Sequence, residues 1–172
     1  AIQTSLQAFK GIGRRFQLQG DLPFNHGVIT LVDDYGHHPR EIAATLEALK
    51  QAWPTRRSIV IFQPHRYTRT RDLFEDFVHV LAGVDVLILM DIYPAGESVI
   101  TGADGRSLSR AIRLRSQVDP IFIENWDVLP KLLAGIVAEN DVILTMGAGS
   151  VGQIATQLPT LLAQALDSHG AI

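Results

Sequence analysis

The sequence contains no cysteine, which excludes disulfides, thiolate metal sites and a cysteine nucleophile. No apolar run approaches the roughly 18 residues that suggest a membrane-spanning helix, and no basic stretch leading into an apolar one marks an export signal. Cytoplasm is therefore the expected compartment, with no membrane partner. Lysine is scarce: only Lys10, Lys50 and Lys131 occur, and none follows a glycine. The G-x-x-x-x-G-K-[ST] cradle for a triphosphate is thus missing. Internal repeats and low-complexity segments are absent as well.

The remaining composition is that of an ordinary globular protein. Its 172 residues, 47% hydrophobic and 19% charged, suffice for one domain with a buried core. The net charge of −3 is unevenly spread. Residues 1–75 carry 10 Lys/Arg against 7 Asp/Glu, and residues 76–172 carry 5 against 11. The basic half also holds the densest polar cluster, so a small anionic ligand is expected there. Nucleic acid would call for a broader basic face.

Residues 1–10 read as the end of a helix stopped by Gly11 and Gly13, and are expected to be the tail of a preceding domain. Residues 14–20 alternate apolar and polar as a half-exposed strand does, followed by a turn-rich link through Pro23, Asn25 and Gly27. Apolar runs at 28–32, 58–62, 85–90, 121–123 and 142–145 then alternate with helical patterns. This predicts an α/β, Rossmann-like fold: a mostly parallel sheet, helices on both faces and one antiparallel edge strand. Pro39 suits a first helical position. Ile42, Leu46, Leu49 and Trp53 form the stripe of that helix, and Pro54 ends it. Further helices are expected around Leu73–Leu81, 106–114, Leu129–Val137 and 150–166, with Pro159 kinking or dividing the last. The long connection from Asp91 to Gly105 is the kind that is often functional on such scaffolds.

Ligands of open α/β sheets bind beyond the carboxyl ends of the strands, and three motifs fall there. The first is Val32-Asp33-Asp34-Tyr35-Gly36-His37-His38-Pro39. Side chains alternate along a strand, so Asp33 and Asp34 diverge, one into the crevice and one toward a helix or backbone. Either can accept from a ribose diol, or serve an N-cap or Asx turn. His37 and His38 diverge too, which argues against a metal site made from that pair. The second is Gln63-Pro64-His65-Arg66-Tyr67-Thr68-Arg69-Thr70-Arg71. Arg66 and Arg69 share a face if they open a helix, and paired guanidinium groups suit a small carboxylate. The third, Gly147-Ala148-Gly149-Ser150-Val151-Gly152, matches G-x-G-x-x-G, but it lies near the end of the chain with no acidic strand end about 20 residues on. A tight turn or a backbone loop facing a nucleotide is expected rather than a dinucleotide site.

These motifs, with Asp91-Ile92-Tyr93-Pro94-Ala95-Gly96-Glu97 and Gly11-Ile12-Gly13-Arg14-Arg15-Phe16, occur in the order found in the C-terminal domain of the Mur ligases, and the chain resembles that domain from about residue 9 to 160. Within the family it is most similar to the members that join L-alanine to UDP-N-acetylmuramate; relatives that recycle whole peptides usually carry Phe-Ala where this chain has Tyr35-Gly36. The resemblance implies residues 1–13 as a linker from a central domain and 14–172 as the C-terminal domain. It implies an ATP-dependent ligation through an acyl phosphate, with Arg15 at the ATP phosphates and Asp34 at the ribose. Tyr35, His37, His65, Arg66 and Arg69 would line the L-alanine site. Mg and most of the ATP contacts would belong to the absent central domain and the UDP site to the absent N-terminal domain, so the fragment is expected to be inactive alone. Two other classes stay open on the residues themselves: a metal-dependent hydrolase using Asp33, Asp34, His37 and His65, and a non-catalytic nucleotide-binding module.

Overall fold

A computed structural model describes residues 13–169; the helix end expected at residues 1–10 lies outside them. Two antiparallel strands open the fold, β1 (Gln17–Phe24) and β2 (Gly27–Asp34). They are followed by α1 (Pro39–Ala52), β3 (Ser58–Phe62), α2 (Tyr67–Asp72), α3 (Phe74–Leu81), β4 (Val86–Met90) and α4 (Gly105–Arg115). Then come β5 (Ile121–Ile123), a 3-10 turn at Trp126–Val128, α5 (Leu129–Ile136), β6 (Val142–Met146) and α6 (Val151–His169). The six strands form one sheet in the order β1-β2-β6-β3-β4-β5. All pairs except β1/β2 are parallel, as expected for this fold class.

Period-two alternation divides each parallel strand between two cores. Val32, Val60, Phe62, Leu87, Leu89, Leu144 and Met146 face Ile42 and Leu49 of α1, Phe77 and Leu81 of α3, and Leu108 and Ile112 of α4. Their sequence neighbours Leu31, Ile59, Ile61, Ile88, Met90 and Ile143 face Leu129 and Leu133 of α5 and Ile154, Leu158 and Leu162 of α6. Both faces are thus covered, which is why the strands read as nearly unbroken apolar runs. The connections from β2 to β5 all place their helices on the first face. Once β5 is complete, the chain returns through α5 on the second face and inserts β6 between β2 and β3.

Three expectations are corrected. The first strand starts at Gln17 rather than at residue 14 and runs on through Pro23, leaving Asn25 and His26 as the turn. Proline is tolerated there because β1 is an edge strand with no neighbour on its outer side. The helix expected around Leu73–Leu81 is α3, but a further short helix that was not expected, α2, directly precedes it and meets it at Leu73. Pro159 does not divide α6, which continues from 151 to 169; buried Leu158 and Leu162 hold both sides of it against the sheet, offsetting a defect of about 3 kcal/mol. In the sheet, β2 and β3 are separated by β6.

Candidate functional site

The insertion of β6 shapes the rim at the carboxyl ends of the strands. Gly147 N–H donates to Asp34 O at 3.2 Å and Gln63 N–H to Met146 O at 3.0 Å, so the loop Gly147–Ser150 sits between the tract after β2 and the tract after β3. Two sequence segments that are not strand neighbours nevertheless meet above it. The His37 and His65 rings lie 5.7 Å apart. Tyr35 meets His37 edge-on at 5.4 Å, and Tyr93 stacks on His65 at 5.4 Å with 17° between the planes. The result is an aromatic ledge, Tyr35–His37–His65–Tyr93, whose two tyrosines are exposed at its ends.

The two aspartates diverge as the pleat requires. Asp33, 1% exposed, takes Arg14 Nε at 2.8 Å and Thr145 Oγ at 2.8 Å. Arg14 also donates to Gly147 O at 2.6 Å and lies 5.3 Å from the centre of the Tyr35 ring. Asp34 turns the other way, accepting from Phe16 N–H and from Gly36 N–H, each at 2.7 Å. The second contact is an Asx turn; each carboxylate oxygen keeps a further lone pair for a hydroxyl donor. Between these anchors the backbone takes positive φ at Arg14 (63°) and Phe16 (44°), and Arg15 projects exposed. The capture of Arg14 and Phe16 by the two aspartates replaces the strand expected at residues 14–16 with a tight turn.

His37 and His38 also part company. His38 caps α1, its Nδ1 accepting from Arg40 N–H at 3.3 Å. His37 faces the ledge, and Glu41 accepts from the backbone N–H of both histidines. Burial pushes the Glu41 carboxyl up, but those N–H donors and the two imidazoles bring it below the usual range.

On the opposite side Arg66 and Arg69 flank His65 and take different partners, Glu97 for Arg66 and His65 for Arg69. Arg69 Nη1 donates to His65 O at 3.0 Å and approaches His65 Nδ1 at 3.3 Å. A guanidinium only donates, so Nδ1 accepts and the neutral ring carries its proton on Nε2. Burial, followed by Arg69, His37 and Arg66, lowers the His65 pKa, which keeps the ring in that neutral form. Arg66 has φ 75°, a conformation costing of order 1–3 kcal/mol. It is held by Arg66 N–H to Tyr93 O at 2.9 Å and Thr70 N–H to Arg66 O at 3.1 Å.

The lowered His65 pKa has a thermodynamic consequence. Between the lowered value and the ordinary 6.5, the unfolded chain binds a proton that the folded chain does not, so stability rises with pH through that interval. Acidification from about pH 7 to about pH 5 should destabilise the domain, and His65→Gln should flatten that part of the profile. Melting temperatures of the two proteins across that range check it; parallel profiles would remove His65 as the source.

Four contributors were not singled out from the sequence. Arg14 could not be told from Arg15, since only the buried Asp33 distinguishes them. Gln63 is buried, and its Oε1 accepts the Val151 N–H that opens α6 at 2.9 Å. Tyr93 and Glu97 come from the Asp91–Gly105 connection, which its length and the Asp91–Glu97 motif marked without giving either residue a role. Among the described residues, no group of three or more His, Asp and Glu side chains is placed to hold a metal ion. A hydrolase site from Asp33, Asp34, His37 and His65 is therefore not favoured, Asp33 being engaged by Arg14 and Thr145. No helix among the described residues is long and apolar enough to cross a membrane.

Residues 14–149 match the family described as Mur ligase, glutamate ligase domain. Over 161 residues the chain is 62% identical to a UDP-N-acetylmuramate--L-alanine ligase of Methylococcus capsulatus, covering 94% of this chain and 34% of that protein. It is 56% identical over 158 residues to the ligase of the same name from Halorhodospira halophila, covering 92% and 32%. A crystal structure of the UDP-N-acetylmuramate-alanine ligase of Thermotoga maritima superposes with a TM-score of 0.68 at 25% identity, over 98% of this chain and 32% of that one. The chain spans about a third of the length of the relatives it matches.

Proposed function

Because the chain belongs to the Mur ligase family, matching its glutamate ligase domain, we propose that it is the C-terminal domain of an ATP-dependent ligase joining L-alanine to UDP-N-acetylmuramate in cytoplasmic peptidoglycan synthesis. Residues 1–13 are then the tail and linker of a central domain, and 14–172 the C-terminal domain itself. The observation that carries this reading is the rim: Arg66 and Arg69 flank a neutral imidazole that faces His37 across a glycine loop, all at the carboxyl ends of parallel strands. That is a site for a small carboxylate.

In this reading Arg66 and Arg69 orient the carboxylate of L-alanine, His65 offers Nε2–H, and Tyr35 and His37 form the opposite wall. Asp34 accepts from the ATP ribose, and exposed Arg15 reaches toward the phosphates. ATP supplies the phosphoryl group that activates the acceptor carboxylate, and Mg accompanies it. This chain carries neither a lysine-bearing phosphate loop nor a metal cluster among its described residues. Those tasks, and UDP binding, fall to the N-terminal and central domains of the same polypeptide, which leaves the domain inactive by itself.

The test has two arms. In the full-length enzyme Arg66→Ala should raise KM for L-alanine roughly tenfold, the low end of what a charge-assisted hydrogen bond contributes, because the side chain is half exposed. The 172-residue chain should show no ATP-dependent alanine ligation. An unchanged KM for L-alanine, or turnover by the isolated chain, would reject the assignment.

A further inference from the structure

Arg66 is the N-cap of α2, yet no side-chain hydrogen bond from it caps the helix. The capping acceptor comes from Glu97, on the Asp91–Gly105 connection. Glu97 Oε2 accepts from Thr68 N–H at 3.0 Å, and its Oε1 accepts from Thr68 Oγ at 2.7 Å. The same Oε1 lies 3.6 Å from Arg66 Nη1. These contacts, the Thr68 hydroxyl foremost, hold the Glu97 carboxyl below its usual range. The connection is itself tied down: Tyr93 N–H donates to Pro64 O at 2.8 Å and Glu97 N–H to Pro94 O at 3.0 Å. The turn between them has φ 51° at Ala95 and 85° at Gly96.

We propose that Glu97 is a positioning residue of the amino-acid site, its charge steering one end of the Arg66 guanidinium so that the other N–H groups stand ready for the substrate carboxylate. The proposal rests on the reading of the rim as the L-alanine site. A half-exposed arginine left alone samples many rotamers, and ordering it on binding weakens affinity; ordering it beforehand removes that cost. The opposite role, an internal carboxylate that the substrate must displace, fits the geometry less well. Both Glu97 oxygens are committed to Thr68, and 3.6 Å from Arg66 is longer than a direct hydrogen bond, so the clamp is steered but not filled.

The experiment uses the full-length ligase with Glu97→Ala, Glu97→Gln, Arg66→Ala and the double variant Arg66→Ala/Glu97→Ala. Glu97→Ala should raise KM for L-alanine about fivefold and leave KM for ATP within about twofold. Glu97→Gln should recover part of the loss, because the amide oxygen still accepts from Thr68, and it also serves as the variant that preserves the local fold. In the Arg66→Ala background, Glu97→Ala should add less than about twofold, since the group it positions is gone. A lower KM for L-alanine in Glu97→Ala would identify an internal competitor and overturn the proposal. Fully multiplicative effects in the double variant would overturn it too. If Arg66→Ala raises KM and neither Glu97 variant does, this inference alone fails; if Arg66→Ala has no effect, the site reading fails first.

Discussion

Arg14→Ala is expected to cost about 3 kcal/mol of folding stability, lowering Tm by roughly 6–12 °C for a domain of this size. Asp33 is 1% exposed and Arg14 about a quarter exposed. Removing the arginine strands a buried carboxylate whose one remaining side-chain donor among the described residues is Thr145, and truncating one partner of a buried pair costs more than the pair contributes net. The surviving Thr145 bond and the partial exposure of Arg14 place the effect at the low end of that range. Arg14 also bonds Gly147 O and covers Tyr35, so its loss should loosen the glycine loop together with the N-terminal turn. Arg14→Lys should recover little, because one ammonium cannot span the Asp33 carboxylate and the Gly147 carbonyl as the planar fork does. Exposed Arg15→Ala should shift stability by no more than about 0.5 kcal/mol. Thermal and urea unfolding of the three variants decide the matter, and equal losses in Arg14→Ala and Arg15→Ala would refute it.

Gly149→Ala should lower kcat/KM for L-alanine in the full-length ligase about a hundredfold, the scale of a misplacement near 1 Å. A Cβ at this position would stand 2.6 Å from Gln63 Oε1 and 2.6 Å from the Tyr93 Cβ and Cγ atoms. Something must move, and both candidates matter. Displacing Tyr93 breaks its stack on His65 and drags the backbone that holds Arg66. Displacing Gln63 releases the first N–H of α6. The control is Gly135→Ala in α5, where an added Cβ meets nothing within 4 Å; there the methyl should raise stability by about 0.5–1 kcal/mol through helix propensity and leave activity alone. Steady-state kinetics of both variants test the argument, and a Gly149→Ala enzyme with ordinary activity would show that the loop does not set the ledge.

Much of the scaffold was legible in the chain. The strands at 28–32, 58–62 and 142–145 were visible as apolar runs because burial on both faces leaves no polar period to hide them. Pro39 and Trp53–Pro54 bounded α1 because proline's missing N–H is harmless at a helix start and disruptive at its end. The divergence of Asp33 from Asp34, and of His37 from His38, followed from the pleat and the helix start. Leu73 was harder. Its stripe with Phe77 and Leu81 is that of α3, whereas the start of α2 is held by hydrogen bonds that tie Thr68 and Arg66 to a loop some thirty residues away, which no local pattern shows.

The sequence by itself determined the alternation of strands and helices, where most elements begin within a few positions, and which side chains of carboxylate, imidazole and guanidinium type gather at strand ends. These are properties of neighbours along the chain, governed by periods of 2 and 3.6 residues and by local caps. Tertiary structure alone decided that β6, more than a hundred residues after β2, slips between β2 and β3. It also decided that Arg14 is buried while Arg15 is exposed, and that Glu97 completes the start of α2. Pairing across such separations depends on which faces remain to be covered once the intervening helices have packed, and no local pattern encodes that.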